Sequence, residues 1–191
     1  MFLKVFHKET CSFPDDSTLV EGLKSGSRSA FRALYDRHGA ELYTLAHTIS
    51  GDAAVAEDVT QQTFIRIFEG IHSFDGRSSL KTWITRIAIN ATKDQMRSAW
   101  WRRRLRLEDH PHLRVEEDDT GESDMACIIE DAVSRLSPKL SIVLTLKYIQ
   151  GMSYEEIAST LSLSAGTVAS RMNRAHRQLA SMLVHLRKER S

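Results

Sequence analysis

The chain has 191 residues, 41% of them hydrophobic and 7% aromatic, with a formal net charge of +1 and two cysteines. That is enough apolar material for one moderate domain or two small ones. Cys11 and Cys127 are too few and too far apart for a disulfide framework, which points to a reducing compartment. The N-terminal run Met1-Phe-Leu-Lys-Val-Phe-His-Lys lacks the apolar core of a signal peptide, and no stretch is long and apolar enough to cross a bilayer. A soluble, cytoplasmic protein is expected.

The near-neutral total hides a pattern. Residues 21–106 carry fourteen Lys/Arg against nine Asp/Glu, and residues 135–191 carry nine against three. Between them, residues 107–134 hold ten acidic side chains and a single basic one, Arg114. Two basic blocks joined by an acidic bridge suit two modules that face nucleic acid.

In chain order, residues 1–16 read as a flexible lead ending in Pro14-Asp15-Asp16-Ser17, where a helix starts. Leu19, Val20 and Leu23 begin the apolar pattern. After the Ser/Gly-rich stretch 22–29, Phe31, Leu34, Tyr35, His38, Leu42, Leu45, Ala46 and Ile49 recur at three and four, the spacing of a helix face. Gly51 is the stop signal and Asp52 the next N-cap. The helix from Ala53 to about Ile71 has one face of Val55, Val59, Thr63, Ile67 and Ile71. Asp58, Gln61, Gln62 and Phe64 fall largely outside that stripe, and Phe68 lies near its edge. By spacing this outer face is either incidental surface or an interface patch.

Phe74-Asp-Gly-Arg-Ser-Ser79 reads as a turn, with Ser78 or Ser79 capping a helix that starts at Leu80. Ile84, Ile87, Ala88 and Ala91 form its inner side. Trp83, Arg86, Asn90, Lys93 and Arg97 offer stacking, phosphate contacts and amide readout, a mixture suited to single-stranded nucleic acid; a plain core role for Trp83 fits equally well. Trp100 to Arg106 closes the block as a basic helix end. Residues 107–125 combine low hydrophobicity with high charge and read as an acidic linker. Such a tether could rest on the basic modules and screen them.

Helical periodicity returns at Ala126 with Ile128, Ile129, Ala132, Val133 and Leu136. Pro138 sits at a first-turn position, and Ile142, Val143, Leu146, Tyr148 and Ile149 make a strongly apolar helix ending at Gly151. Ser153 and Glu156 form a capping box, followed by Ile157, Ala158 and Leu161. Leu163 lies in a turn and Ser164 caps a last helix with Val168, Met172, Ala175 and Leu179 inward. Thr167, Ser170, Arg171, Arg174 and Arg177 lie off that stripe. Small polar groups near a helix N-terminus followed by arginines suit a recognition helix in the major groove; an amphipathic hairpin with a solvated basic face has the same spacing. No strand-like alternation occurs, and the fold class is all-α: two small helical domains, 17–106 and 126–191, joined by the acidic linker.

No enzyme motif is present: no phosphate-cradling glycine loop, no H-E-x-x-H, no Gly-x-Ser-x-Gly. The closest metal-like grouping, His7 with Cys11, offers two ligands, and His110 and His112 flank a proline in the linker. No cofactor or metal is expected.

Taken together, the motifs resemble an extracytoplasmic-function (ECF) sigma factor, of the sigma-70 family of bacterial initiation factors, over residues 17–187. Ala56-Glu-Asp-Val-Thr-Gln-Gln-Thr-Phe-Ile-Arg-Ile-Phe resembles the helix that binds core polymerase. Phe74-Asp-Gly-Arg-Ser-Ser-Leu-Lys-Thr-Trp-Ile-Thr-Arg-Ile-Ala-Ile-Asn resembles the −10-recognition and strand-opening segment. Leu136-Ser-Pro through Gly151-Met-Ser-Tyr-Glu-Glu-Ile-Ala and Gly166-Thr-Val-Ala-Ser-Arg resembles the −35-binding helix-turn-helix.

The resemblance implies that Asp58, Gln61, Gln62, Phe64 and Phe68 dock on bacterial core RNA polymerase. It implies that Phe74, Gly76, Arg77, Ser78 and Ser79 capture a flipped base of −10 promoter DNA, with Asn90 helping to line that site and Trp83, Arg86 and Lys93 along the adjoining strand. Ser164, Thr167, Ser170, Arg171, Arg174 and Arg177 belong to the −35 face. It also implies an anti-sigma factor, often membrane-anchored, as a partner. Position 169 is Ala where the family usually has Lys or Arg, and Ser137-Pro-Lys-Leu-Ser141 replaces the usual arginine-containing pattern. A helix-turn-helix regulator that acts without polymerase would leave the Asp58 face and the Trp83–Asn90 segment unexplained. A sigma mimic that sequesters an anti-sigma factor would need an extra regulatory domain.

Overall fold

The computed structural model describes residues 13–106, 129 and 132–189, with side chains 98–106 and 184–189 left aside. Every element in these residues is helical, and short polar side chains set the boundaries. Asp15 accepts from the Thr18 amide and starts α1 (Asp16–Lys24). Ser27 does the same for Ala30 at the head of α2 (Arg28–Ser50). Gly51 ends α2 in the left-handed region, φ 67°, where a side chain would be strained. Asp52 then accepts from Val55 to begin α3 (Ala53–Gly70), which tightens into a 3₁₀ turn, Ile71–Ser73. A loop, 74–79, leads into α4 (Leu80–Arg106).

Beyond the linker, residues 132–134 form a helical turn, followed by α5 (Pro138–Tyr148), α6 (Tyr154–Leu161) and α7 (Ala165–Glu189). The lead and the acidic linker, with Cys11, Cys127, His7, His110 and His112, lie outside the described residues apart from their edges.

The helices α2, α3 and α4 pack together around Leu34, Leu45, Ile49, Ile67, Ile84 and Ile89. A second, smaller cluster of Ala46, Ala56, Val59 and Ala91 sits where these three helices meet, and its small side chains allow close approach. Three buried threonines bond within their own helices: the hydroxyls of Thr60, Thr63 and Thr92 each donate to the carbonyl four residues back, at 2.7–2.8 Å, whereas the buried Thr48 hydroxyl and His38 Nε2 of α2 have no partner.

The two helical groups are not independent bodies. One apolar cluster runs from Leu34 and Ile49 through Val133, Leu136 and Leu140 to Ile157, Val168 and Met172. The helix α5 is the reason: seven consecutive residues, Leu140 to Leu146, are buried, because α5 packs against α6 and α7 on one side and α2 on the other. A helix buried all round belongs inside a core. Each fully buried leucine there contributes about 1.5–3 kcal/mol. That outweighs what an eight-residue helix such as α6 can supply by propensity alone.

Candidate nucleic-acid interface

The outward face of α3 carries both polar and aromatic groups. Asp58 and Gln61 are exposed, and Gln62 is half-buried beside Arg66, which pairs with Asp94 of α4 at 3.1 Å. Phe64 is half-buried and its ring lies 5.0 Å from that of Tyr35; Phe68 is 59% exposed and 5.0 Å from Phe31. The patch is therefore built by α2 as well as α3. Tyr35, which helical spacing assigns to the inner stripe of α2, is 52% exposed and belongs to this surface. Ile65 is also exposed.

The loop before α4 is held at its ends and open in its middle. The Lys24 ammonium donates to the Phe74 carbonyl at 2.9 Å, and the Phe74 and Trp83 rings lie 5.4 Å apart. Asp75 accepts from the Arg77 amide and pairs with its guanidinium at 2.9 Å, while the Arg77 side chain stays 90% exposed. Gly76 turns the chain at φ 76° with open space around it. Ser78 is half-buried, and Ser79 caps α4 by accepting from Thr82. Trp83 is half-buried against Gly70 and Phe74, so its ring supports the loop while keeping an open edge.

Farther along α4, Asn90 is exposed, whereas Arg86 and Lys93 are half-buried at the joint with the C-terminal helices. The Arg86 guanidinium donates to the carbonyls of Ser159 (2.8 Å) and Thr160 (3.2 Å) at the end of α6. Lys93 lies on a cleft of about 760 Å³ shared with Arg97, Lys139 and Arg171, whose walls include Val55, Met96, Ile142, Leu161 and Leu163. Burial first, and then the Arg171 guanidinium, pull the Lys93 pKa below its ordinary value, with Asp94 opposing.

The C-terminal helices form a helix-turn-helix. Ser153 and Glu156 make a reciprocal capping box, at 2.7 and 3.1 Å. Ser162 carries the turn in the left-handed region at φ 54°. Ser164 accepts from the Thr167 amide, and its hydroxyl is 2.9 Å from that of Thr167. Ser170 donates to the Thr167 carbonyl, so these small groups brace the first turn of α7. Arg174 and Arg177 are exposed, and Arg171 turns into the interdomain cleft. Val168, Met172 and Ala175 point inward, as the spacing predicts.

Family comparison finds two matches along the chain. The description "Sigma-70 region 2" matches residues 34–102, and "Sigma-70, region 4" matches 128–179. The ECF RNA polymerase sigma-E factor of Haemophilus influenzae is 31% identical over 181 residues, covering 88% of this chain and 95% of that protein. The chain belongs to the ECF sigma factors. The similar SigE of Mycolicibacterium smegmatis is 34% identical over 158 residues, 78% of this chain and 60% of its own length. BldN of Streptomyces coelicolor is likewise spanned over only 64% of its length.

Among solved structures, this ECF sigma factor is similar to CnrH, in complex with the cytosolic domain of CnrY, at a TM-score of 0.67 and 26% identity. That likeness covers 89% of this chain and 97% of CnrH. RpoE of Bartonella quintana, in complex with the anti-sigma factor NepR, gives 0.69 and 25%, covering 80% and 96%.

Sequence spacing separated the inner from the outer faces but not the joint. Arg86 bonds a helix 73 residues away, and the meeting of Lys93 with Arg171 brings together one residue from each of the two expected DNA-binding sets. No local pattern announces either contact. The strongly apolar stretch of α5, with Leu140, Ile142, Val143, Leu144 and Leu146 within seven residues, was the available signal.

Proposed function

We propose that this ECF sigma factor binds core RNA polymerase and confers promoter specificity, reading a −35 duplex with α7 and holding an unpaired −10 strand with the 74–79 loop and α4. It carries no reaction of its own. The observation that supports this best is the open, braced geometry of the loop. Its two ends are anchored by Lys24 and Ser79, while Asp75, Gly76 and Arg77 stand in solvent. Extruding a base costs a few kcal/mol, and a loop already braced beside an aromatic ring would offset part of that by holding the base. Phe74, Ser78, Trp83, Asn90 and Lys93 line the approach in this reading, with residues 17–106 as one working unit and 126–191 as the other.

Asp58, Gln61, Gln62, Phe64 and Phe68 form the polymerase-docking face, extended by Tyr35 and Phe31. Exposed aromatics have the make-up of an interface core, and flanking amides and a carboxylate that of its polar rim. An anti-sigma factor is the proposed inhibitor, on the strength of the similar chains solved with such partners. Titrating labelled protein with core polymerase should give saturable binding, weakened about tenfold or more by Asp58→Ala with Gln61→Ala, while circular dichroism stays unchanged. Unaltered binding would remove this face from the account, and absence of binding would overturn the reading.

A further inference from the structure

The contact between α4 and α6 is a capped helix end. The last four carbonyls of a helix lack intrahelical partners. In α6 the Ala158 carbonyl is taken by the Leu163 amide at 2.9 Å and that of Ser159 weakly by the Ser162 amide at 3.3 Å. Arg86 reinforces this end, with Nη2 on the Ser159 carbonyl and Nε on that of Thr160, and Nη2 also reaches the Ser159 hydroxyl at 3.3 Å. A guanidinium fork at the negative end of a helix is favourable both as hydrogen bonding and as charge against dipole. The donor sits on one helical group and the acceptors on the other.

We propose that Arg86 is an intramolecular latch: by capping α6 it holds the strand-facing side of α4 closed against the helix-turn-helix, so the joint must open before Arg86 and Lys93 can meet DNA. This rests on the reading of α4 as the −10 strand surface. Arg86, Asn90 and Lys93 are spaced at four and three along α4 and so share a side. Arg86 spends its donors on α6, and Lys93 lies in the cleft that the closed joint creates.

The closed joint is also opposed from within. Lys93, Arg97, Lys139 and Arg171 line one cleft, where Asp52 is the sole carboxylate among the lining residues and its Oδ1 already caps α3. Like charges gathered between apolar walls repel more strongly than in open water. The Arg86 cap and the buried face of α5 hold the joint; the four cations press it open. A polyanion such as promoter DNA would both relieve the repulsion and compete for Arg86.

The test uses the free full-length chain, with Cys11 and Cys127 changed to Ser and dyes placed at Glu21→Cys on α1 and Gln178→Cys on α7, both exposed positions. Single-molecule energy transfer reads the closed and open populations without DNA or polymerase. Arg86→Ala should raise the open-to-closed ratio about tenfold, the size of a lost charge-assisted hydrogen bond. Arg86→Lys, which keeps the charge but not the fork, should also raise it while helical content is unchanged.

An open-to-closed ratio unchanged in both variants overturns the latch, whatever transcription does. Transcription by holoenzyme carrying Arg86→Ala reports separately on the −10 reading. A raised open population with unaffected transcription leaves the latch standing and counts against that reading alone.

Discussion

Ser153 and Glu156 hold each other across the first turn of α6, and their pairing has a consequence for pH. The hydrogen bond from the Ser153 amide, and then that with its hydroxyl, draw the Glu156 pKa below its ordinary value of 4.5. A carboxylate with a depressed folded pKa adds stability that is complete above the unfolded value and is lost as pH falls through the folded one. His38 acts in the same direction at higher pH. It is buried, its Nε2 has no partner, and desolvation lowers its pKa from 6.5, so protonation works against the fold. Stability should therefore decline first below about pH 6.5 and again below about pH 4.5. Glu156→Gln keeps a capping amide but cannot titrate. Urea melts over a pH series should show the lower step reduced in this variant and the upper one retained. An unchanged lower step would show that the box is not its source.

At the scale of elements, the helix boundaries were legible because each is written in one or two residues. Gly51 with Asp52, Ser153 with Glu156, Pro138 and Ser164 all act where the spacing placed them. Faces were legible where one side of a helix meets solvent, as on α3 and α7. They were not where a helix meets two partners. Tyr35 shares the helical register of Leu34 and His38, yet it is exposed, with its ring against Phe64 at the outer edge of the α2–α3 contact. The Trp83 ring is half-buried, packing near Gly70 and 5.4 Å from Phe74, which establishes a structural role beside the loop.

The same reasoning separates the work of α7 from that of α3. Arg174 is exposed and Arg171 half-buried at the interdomain cleft, and reversing both to Glu replaces two cations with two anions on the face proposed to meet the duplex. Each lost phosphate or base contact costs on the order of 1–3 kcal/mol. Initiation at −35-dependent promoters should fall by at least about a hundredfold, while core polymerase binding is retained. Equal loss of both would mean that α7 is part of the polymerase contact instead.

At the scale of the whole molecule, the acidic linker and two basic blocks suggested separate bodies, and the packing joins them through α5, Arg86 and the Val133–Leu140 region. Apart from the apolar stretch of α5, this joint left no local mark in the sequence, because Arg86 and its acceptors lie more than seventy residues apart and each has an ordinary local role. A basic residue on an outer helix face looks the same whether it waits for a phosphate or caps a distant helix.

The central claim is that the two helical groups together confer promoter choice on polymerase. The most direct measurement is in vitro transcription with purified core polymerase and a promoter library, with and without this protein. Transcripts that appear only with the protein, from templates sharing a −35 and −10 pair, are the predicted result. No stimulation of transcription, alongside tight sequence-specific duplex binding by the free chain, would contradict it and leave a helix-turn-helix regulator that acts without polymerase.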